Sequence, residues 1–208
     1  MTKKFTFIKT ITVVLKAMWY LQWLSAAAFI SIFFLLIISP ENMNMDKFTG
    51  FKVEFSKIDL GSHTLADGAD YDIQLTNGNG RLHISNHDQN IIYAKVLVAL
   101  IEVLCYIYIF YMLIKIFSGL KVGDFFAQKN GLLIRKIAFT IIGITAFTEL
   151  TSYLISVHIV NTYEIAGIQL QSNTDVDFRI LFFGLMLLVI STIFIRGAKL
   201  KEEQELTI

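Results

Sequence analysis

Long apolar runs alternate with polar segments along the chain, and four of these runs are long enough to cross a bilayer. They cover residues 17–39, 91–117, 137–160 and 179–196. The hydrocarbon core of a bilayer is about 30 Å thick and needs roughly 20 apolar residues in a helix. The pattern therefore predicts an all-α membrane protein, a four-transmembrane-helix bundle with helices at about residues 13–39, 91–117, 133–160 and 178–197.

The polar segment at residues 41–90 has a different period. Apolar and polar residues alternate there in three short stretches, as in half-buried β-strands: 51–56, 71–76 and 81–84. Residues 77–80 read Asn-Gly-Asn-Gly and predict a tight hairpin turn, because Asn and Gly tolerate positive φ. The segment is too small to bury much core alone, so we expect it to rest on the helices or on a second loop at 161–177. Within that loop, residues 164–171 predict one more strand.

The distribution of charge predicts an orientation. Twelve of the 18 Lys and Arg residues flank the N-terminus, the loop between the second and third spans, and the C-terminal tail, while the segment at 41–90 has eight acidic residues against four basic ones. The positive-inside rule then places both termini in the cytoplasm. The first run has 23 uncharged residues, longer than a signal-peptide core, and is expected to be a retained span. We predict one membrane domain over residues 1–208, with an extracytoplasmic β-rich insertion at 41–90.

Composition narrows the classes of function. The net charge is only +1, which argues against direct nucleic-acid binding. The single cysteine, Cys105, lies inside an apolar run, so neither an internal disulfide nor a cysteine metal site is expected. The four histidines lack tight ligand spacing, and we find no zinc-protease helix, phosphate-binding glycine loop or nucleophile elbow. We expect no enzyme activity, no metal and no cofactor.

Two acidic residues fall inside apolar spans and form the main candidate site. Glu102 lies in the second span and Glu149 near the middle of the third. Polar neighbours at helical spacing are expected to share their faces: Thr145, Ser152 and Ser156 around Glu149, and Tyr106 four residues after Glu102. The face of Glu149 is expected to look into the helix bundle rather than at lipid. The functional alternative is a proton or cation site, or a pH-sensitive packing switch. The structural alternative is a pair of protonated glutamates hydrogen-bonded to these neighbours.

Two short motifs resemble a known family. One lies between the second and third spans and includes Gly123, Phe126, Asn130 and Arg135; the other closes the chain and includes Gly197, Leu200 and Glu203. Both resemble the bacterial family catalogued as domain of unknown function 2975, although Asp124 stands where that family commonly has proline. The resemblance implies a small four-span protein of the bacterial inner membrane. Members of that family are often encoded beside a small helix-turn-helix regulator of the Xre type, and the family has no established activity. The resemblance therefore implies the same context for this chain.

These observations favour a multi-pass membrane sensor or regulatory protein whose outer segment meets a signal and whose inner segments meet a partner. A helix-turn-helix regulator or the subunits of a membrane complex are the candidate partners, beside the lipid bilayer itself. One alternative is a small proton- or cation-coupled carrier that uses Glu102 and Glu149. Another is a structural subunit of a larger membrane complex. The signal and the oligomeric state stay open at this point.

Overall fold

The computed structural model describes residues 2–38, 50–64, 70–83, 89–120, 127–165, 168–172 and 178–205. Within them the elements follow in the order α1 (Thr2–Ile38), β1 (Gly50–Thr64), β2 (Asp70–His83), α2 (Gln89–Leu120), α3 (Gln128–Thr162), β3 (Ile168–Gln171) and α4 (Phe178–Glu205). All four helices are long and apolar enough to cross a membrane. The protein is a multi-pass membrane protein, as the apolar runs predict.

The helices are longer than the apolar runs that predicted them. α1 begins at Thr2 rather than near residue 13, and α4 continues to Glu205 rather than ending near 197. The added turns contain Lys, Glu and Gln, which favour helix as strongly as most apolar residues do, so the helix continues where the apolar run stops. The 37 residues of α1 span about 55 Å at 1.5 Å per residue. Part of α1 therefore lies beyond the hydrocarbon core.

The chain forms two compact units. The helix unit comprises Met1–Ile38, Val96–Phe147 and Asp177–Ile208, and the sheet unit comprises Ser39–Lys95 and Thr148–Val176. The helix unit thus contains α1, α4 and most of α2 and α3. The sheet unit contains the three strands, the start of α2 and the C-terminal part of α3.

Apolar clusters hold the helices of the helix unit together. α1 and α2 meet at Ala26, Val103 and Ile107, and α2 and α3 meet at Met112, Leu133 and Ile137. Ala26 is only 1% exposed, since its short side chain lets α2 approach closely. These contacts confirm the predicted four-helix bundle in its first three helices.

Glycine brings α3 and α4 into close contact. A Cβ atom added to Gly131 of α3 would lie 2.6 Å from Cγ1 of Ile195, 3.1 Å from the backbone nitrogen of Ile195 and 3.2 Å from the carbonyl oxygen of Ser191. Nearer the start of α4, a Cβ atom on Gly184 would lie 2.6 Å from Cγ1 of Ile142. At Gly131 only glycine leaves room for backbones this close, and small residues at such contacts are a common means of helix association in a bilayer.

The sheet unit contains an antiparallel sheet with strand order β2-β1-β3. β1 pairs with β2 from Gly50↔His83 to Thr64↔Asp70, and β3 pairs with β1 between Glu54 and Ile58. The sheet thus joins the predicted insertion to the strand of the second loop, confirming the strand predicted within 164–171. Ser56 reinforces this pairing, because its hydroxyl donates hydrogen bonds to the backbone oxygen and Oε1 of Gln169 at 3.4 and 3.3 Å.

The predicted turn at residues 77–80 is wrong. β2 runs unbroken through these positions, with Phe55↔Gly78 and Glu54↔Asn79 paired across the sheet. Asn77 has φ 53°, so one residue takes the left-handed backbone conformation without reversing the chain. Gly78 allows the ring of Phe55 to pack closely on β2 rather than forming a turn, because a Cβ atom at position 78 would collide with that ring. Residues 65–69, between β1 and β2, lie outside the described residues.

Two glycines of α3 test the close contact with α4. Gly131→Ala should destabilise the bundle by about 1–3 kcal/mol, because the added methyl group overlaps Ile195 and the α4 backbone. Gly143→Ala is the matched control, since a Cβ atom there meets nothing within 4 Å, and alanine favours helix by up to about 1 kcal/mol. Unfolding in mixed micelles with increasing SDS measures both. Equal midpoints for the two variants would contradict the contact.

Candidate functional site

Both intramembrane glutamates are half-buried. Glu102 lies on α2 within the helix unit, and Glu149 lies on α3 within the sheet unit. Glu149 precedes the end of α3 at Thr162 by 13 residues, or about 20 Å along the helix. This depth puts it inside the candidate span Gln128–Thr162 rather than at its edge. The proton or cation site, and its alternative of two protonated glutamates, both stay predictions.

The polar neighbours of Glu149 on α3 differ in their surroundings. Thr145 and Ser156 are buried, at 8% and 4% exposure, whereas Ser152 is exposed. The Thr145 hydroxyl donates a 2.8 Å hydrogen bond to the carbonyl oxygen of Ile141 one turn earlier. The expectation that Ser152 faces the bundle interior is therefore wrong for the described part of the protein, in which Ser152 is exposed.

Tyr106, predicted beside Glu102, lies on an open face of α2. Its side chain is 48% exposed, while Val103 and Ile107 on either side of it are the buried residues that pack on α1. The helix therefore turns Glu102 and Tyr106 away from the centre of the α1–α2 contact. A hydrogen bond between their side chains stays a prediction.

The motif between α2 and α3 contains a buried anchor. Asn130 is 4% exposed in the first turn of α3, and its backbone N–H donates a 2.9 Å hydrogen bond to the carbonyl oxygen of Ala127. Its Oδ1 atom lies against the end of α2, 3.5 Å from where a Cβ atom on Gly119 would stand. Asn130 thus joins two helix ends. Gly123 and Phe126 lie outside the described residues, and Arg135 is exposed on α3.

The C-terminal motif is largely exposed. Leu200 is 61% exposed, and Glu203 forms a 3.9 Å ion pair with Lys199 one turn earlier. Such an exposed pair contributes little stability, typically about 0–1 kcal/mol. Gly197 is half-buried, with open space around it. Arg135 and Leu200 are both exposed, so a partner could contact them.

Sequence reasoning missed three features. Gly131 and the fully buried Ser191 lie at a close approach of α3 and α4, and no apolar period signals them. The third is a cavity of about 480 Å³ in the sheet unit, lined by Val160, Tyr163, Glu164, Ile165, Ile168 and Leu170. Its walls come from the end of α3 and from β3, so only their meeting in space creates it. Among the described residues, no group of three or more His, Cys, Asp or Glu could hold a metal ion.

Two substitutions at Glu149 test whether the carboxyl group is neutral. Glu149→Gln should leave the fold almost intact, because the amide has the shape and hydrogen-bonding capacity of a protonated acid. Glu149→Lys should disrupt it, since a cation within a span carries a penalty of roughly 2.5–3.5 kcal/mol. Detergent-extracted yield and thermal melting compare both variants with the parent. If Gln is as damaging as Lys, the glutamate is ionised and paired with a cation.

Comparison with protein families supplies the remaining context. Residues 81–208 match the family described as Protein of unknown function (DUF2975), and comparison with curated proteins and with solved structures gives no match. The matched region contains α2, α3, β3 and α4, and therefore both motifs on which the resemblance rests. It covers well over half of the chain. The protein belongs to the DUF2975 family.

Proposed function

We propose that this protein is a sensor or regulatory protein of the bacterial cytoplasmic membrane, without catalytic activity of its own. In this proposal the sheet unit lies outside and receives a signal. The two termini and the loop between α2 and α3 lie in the cytoplasm and reach a partner there. The partner is a small helix-turn-helix regulator or a subunit of a membrane complex.

The observation that carries the proposal is the core of the sheet unit. Ile91 in the first turn of α2 and Ile159 near the end of α3 are buried together, and Leu170 of β3 packs against them with Ile155 and Tyr163. Two membrane helices therefore share one apolar core with the sheet. A ligand or stress that moves β3 must disturb the ends of both helices, because a close-packed core does not deform at one point alone.

Charge supports the proposed orientation. The basic side chains at the start of α3 and near the end of α4 include Lys129, Arg135 and Lys199, all of them exposed. Residues of the sheet unit, by contrast, include eleven acidic side chains and five basic ones. Lys and Arg in short loops are retained on the cytoplasmic side during insertion.

A carrier of protons or cations is the second candidate. Half-buried carboxyl groups on two different spans, Glu102 and Glu149, favour it, because intramembrane acids are costly unless they are used. A structural subunit is the third, favoured by the exposed small residues Ala27 and Ala28 on α1, which would admit another helix. Flux into liposomes that Glu149→Gln abolishes would select the carrier over the sensor.

Labelling from intact cells tests the orientation. In a Cys105→Ser background, single cysteines replace Lys129, Asn79 and Thr207, and a membrane-impermeant maleimide is added outside. Only position 79 should react, because the sheet unit is expected outside and the other two positions inside. Permeabilised cells provide the control for reactivity at all three. Reaction of position 129 in intact cells would overturn the orientation.

Cross-linking from native membranes tests for the cytoplasmic partner. A photoreactive amino acid at Arg135 should give one discrete protein adduct, because this exposed position lies at the proposed partner surface. Phe139, one helical turn farther into the span and 59% exposed, is the matched control and should cross-link to lipid. Mass spectrometry identifies the adduct. The same adduct pattern from both positions would contradict a specific cytoplasmic partner.

A further inference from the structure

The cavity of the sheet unit combines apolar and charged lining residues. Among the described residues that line it, Val160, Ile165, Ile168 and Leu170 are apolar, and Tyr163 and Glu164 are polar; polar and apolar atoms share its exposed wall about equally. Its volume of about 480 Å³ falls within the 300–1,000 Å³ typical of small-molecule sites. Such sites combine apolar side chains with a few polar groups that fix the orientation of the ligand.

Tyr163 and Glu164 directly follow α3, and both line the cavity. The Tyr163 N–H still donates a 3.0 Å hydrogen bond to the carbonyl oxygen of Ile159, so the helical hydrogen-bond pattern of α3 continues up to the cavity wall. The Ile168 N–H donates a 3.0 Å hydrogen bond to the carbonyl oxygen of Ile165. The end of α3 and β3 thus form two walls of the cavity.

The polar groups at this site are those that recognise an ammonium group. Glu164 is exposed and, in the described part of the chain, forms no ion pair that would occupy its carboxylate. The adjacent Tyr163 is half-buried and lines the cavity, and the face of an aromatic ring attracts a cation. The excess of acidic over basic residues in the sheet unit raises the local concentration of cations further.

We propose that the sheet unit binds a soluble organic cation with an apolar chain, its chain in the cavity among Val160, Ile168 and Leu170 and its ammonium group at Tyr163 and Glu164. This proposal rests on the sensing function above and names the chemical class of the signal. The occupant contacts α3 and β3 together. The binding site therefore adjoins the apolar core that the sheet shares with two membrane helices.

A titration with octylammonium tests the site. The full-length protein in dodecyl maltoside micelles is titrated and followed by saturation-transfer NMR, with empty micelles subtracted. Glu164→Gln should weaken binding about tenfold, the loss expected for one charge-assisted contact at a partly solvated site. Glu202→Gln, which removes the same charge from the exposed tail, should leave binding unchanged. Val160→Phe, which narrows the cavity, should also abolish saturable binding.

Three outcomes would overturn the proposal. Octyl sulfate or octanol binding as tightly as octylammonium would show that the cavity does not select a cation. Equal affinity of the Glu164→Gln and Glu202→Gln variants would show that Glu164 does not contact the ligand. Displacement of octylammonium by an ethanolamine lipid added to the micelles would assign the site to a lipid headgroup. The Arg135 cross-link is measured without ligand, so its failure bears on the sensing function and leaves the site to be judged by the titration.

Discussion

Each of the four helices has to satisfy its own backbone inside a solvent that offers no hydrogen bonds, and the rest of the protein follows from this constraint. Large apolar side chains therefore point outward as well as inward, with Leu24 at 68% and Phe182 at 69% exposure. In water such surfaces would drive aggregation, but in lipid they cost nothing. Burial of apolar area then no longer drives helix association, and close van der Waals contact takes its place. The approach of Gly131 to the backbone of α4 is the clearest example.

The same constraint governs the polar side chains inside the spans. Hydroxyl groups solve it locally, by donating to a carbonyl oxygen one turn earlier: Thr12 to Ile8, Thr140 to Lys136, Thr145 to Ile141 and Thr192 to Leu188. An ionised carboxylate has no proton to give to a carbonyl oxygen, so Glu102 and Glu149 can donate in this way only when they are protonated. This is why the two acids stay the strongest candidates for a role beyond packing, whichever function they serve.

The sheet unit meets a different limit, which is size. Three strands form a small sheet, and the core of the unit includes the ends of two helices. Ile91 and Ile159 contribute to that core from α2 and α3, and β3 contributes Leu170. A sheet that shares its core with two helix ends is coupled to those ends. The cavity beside Tyr163 lies between the end of α3 and β3, so a bound molecule would touch helix and strand together.

The sequence alone determined the number and approximate position of the spans, the existence of the strands and the family, because each depends on local composition, period or short motifs. It misplaced the turn at 77–80, since the use of Gly78 depends on Phe55, more than twenty residues earlier. It also missed Gly131, Ser191 and the cavity, and it placed Ser152 on a covered face. Those features depend on which surfaces meet, and one-dimensional periodicity carries no information about the neighbour. Only the tertiary structure decided them, because close approach and exposure are properties of two segments together.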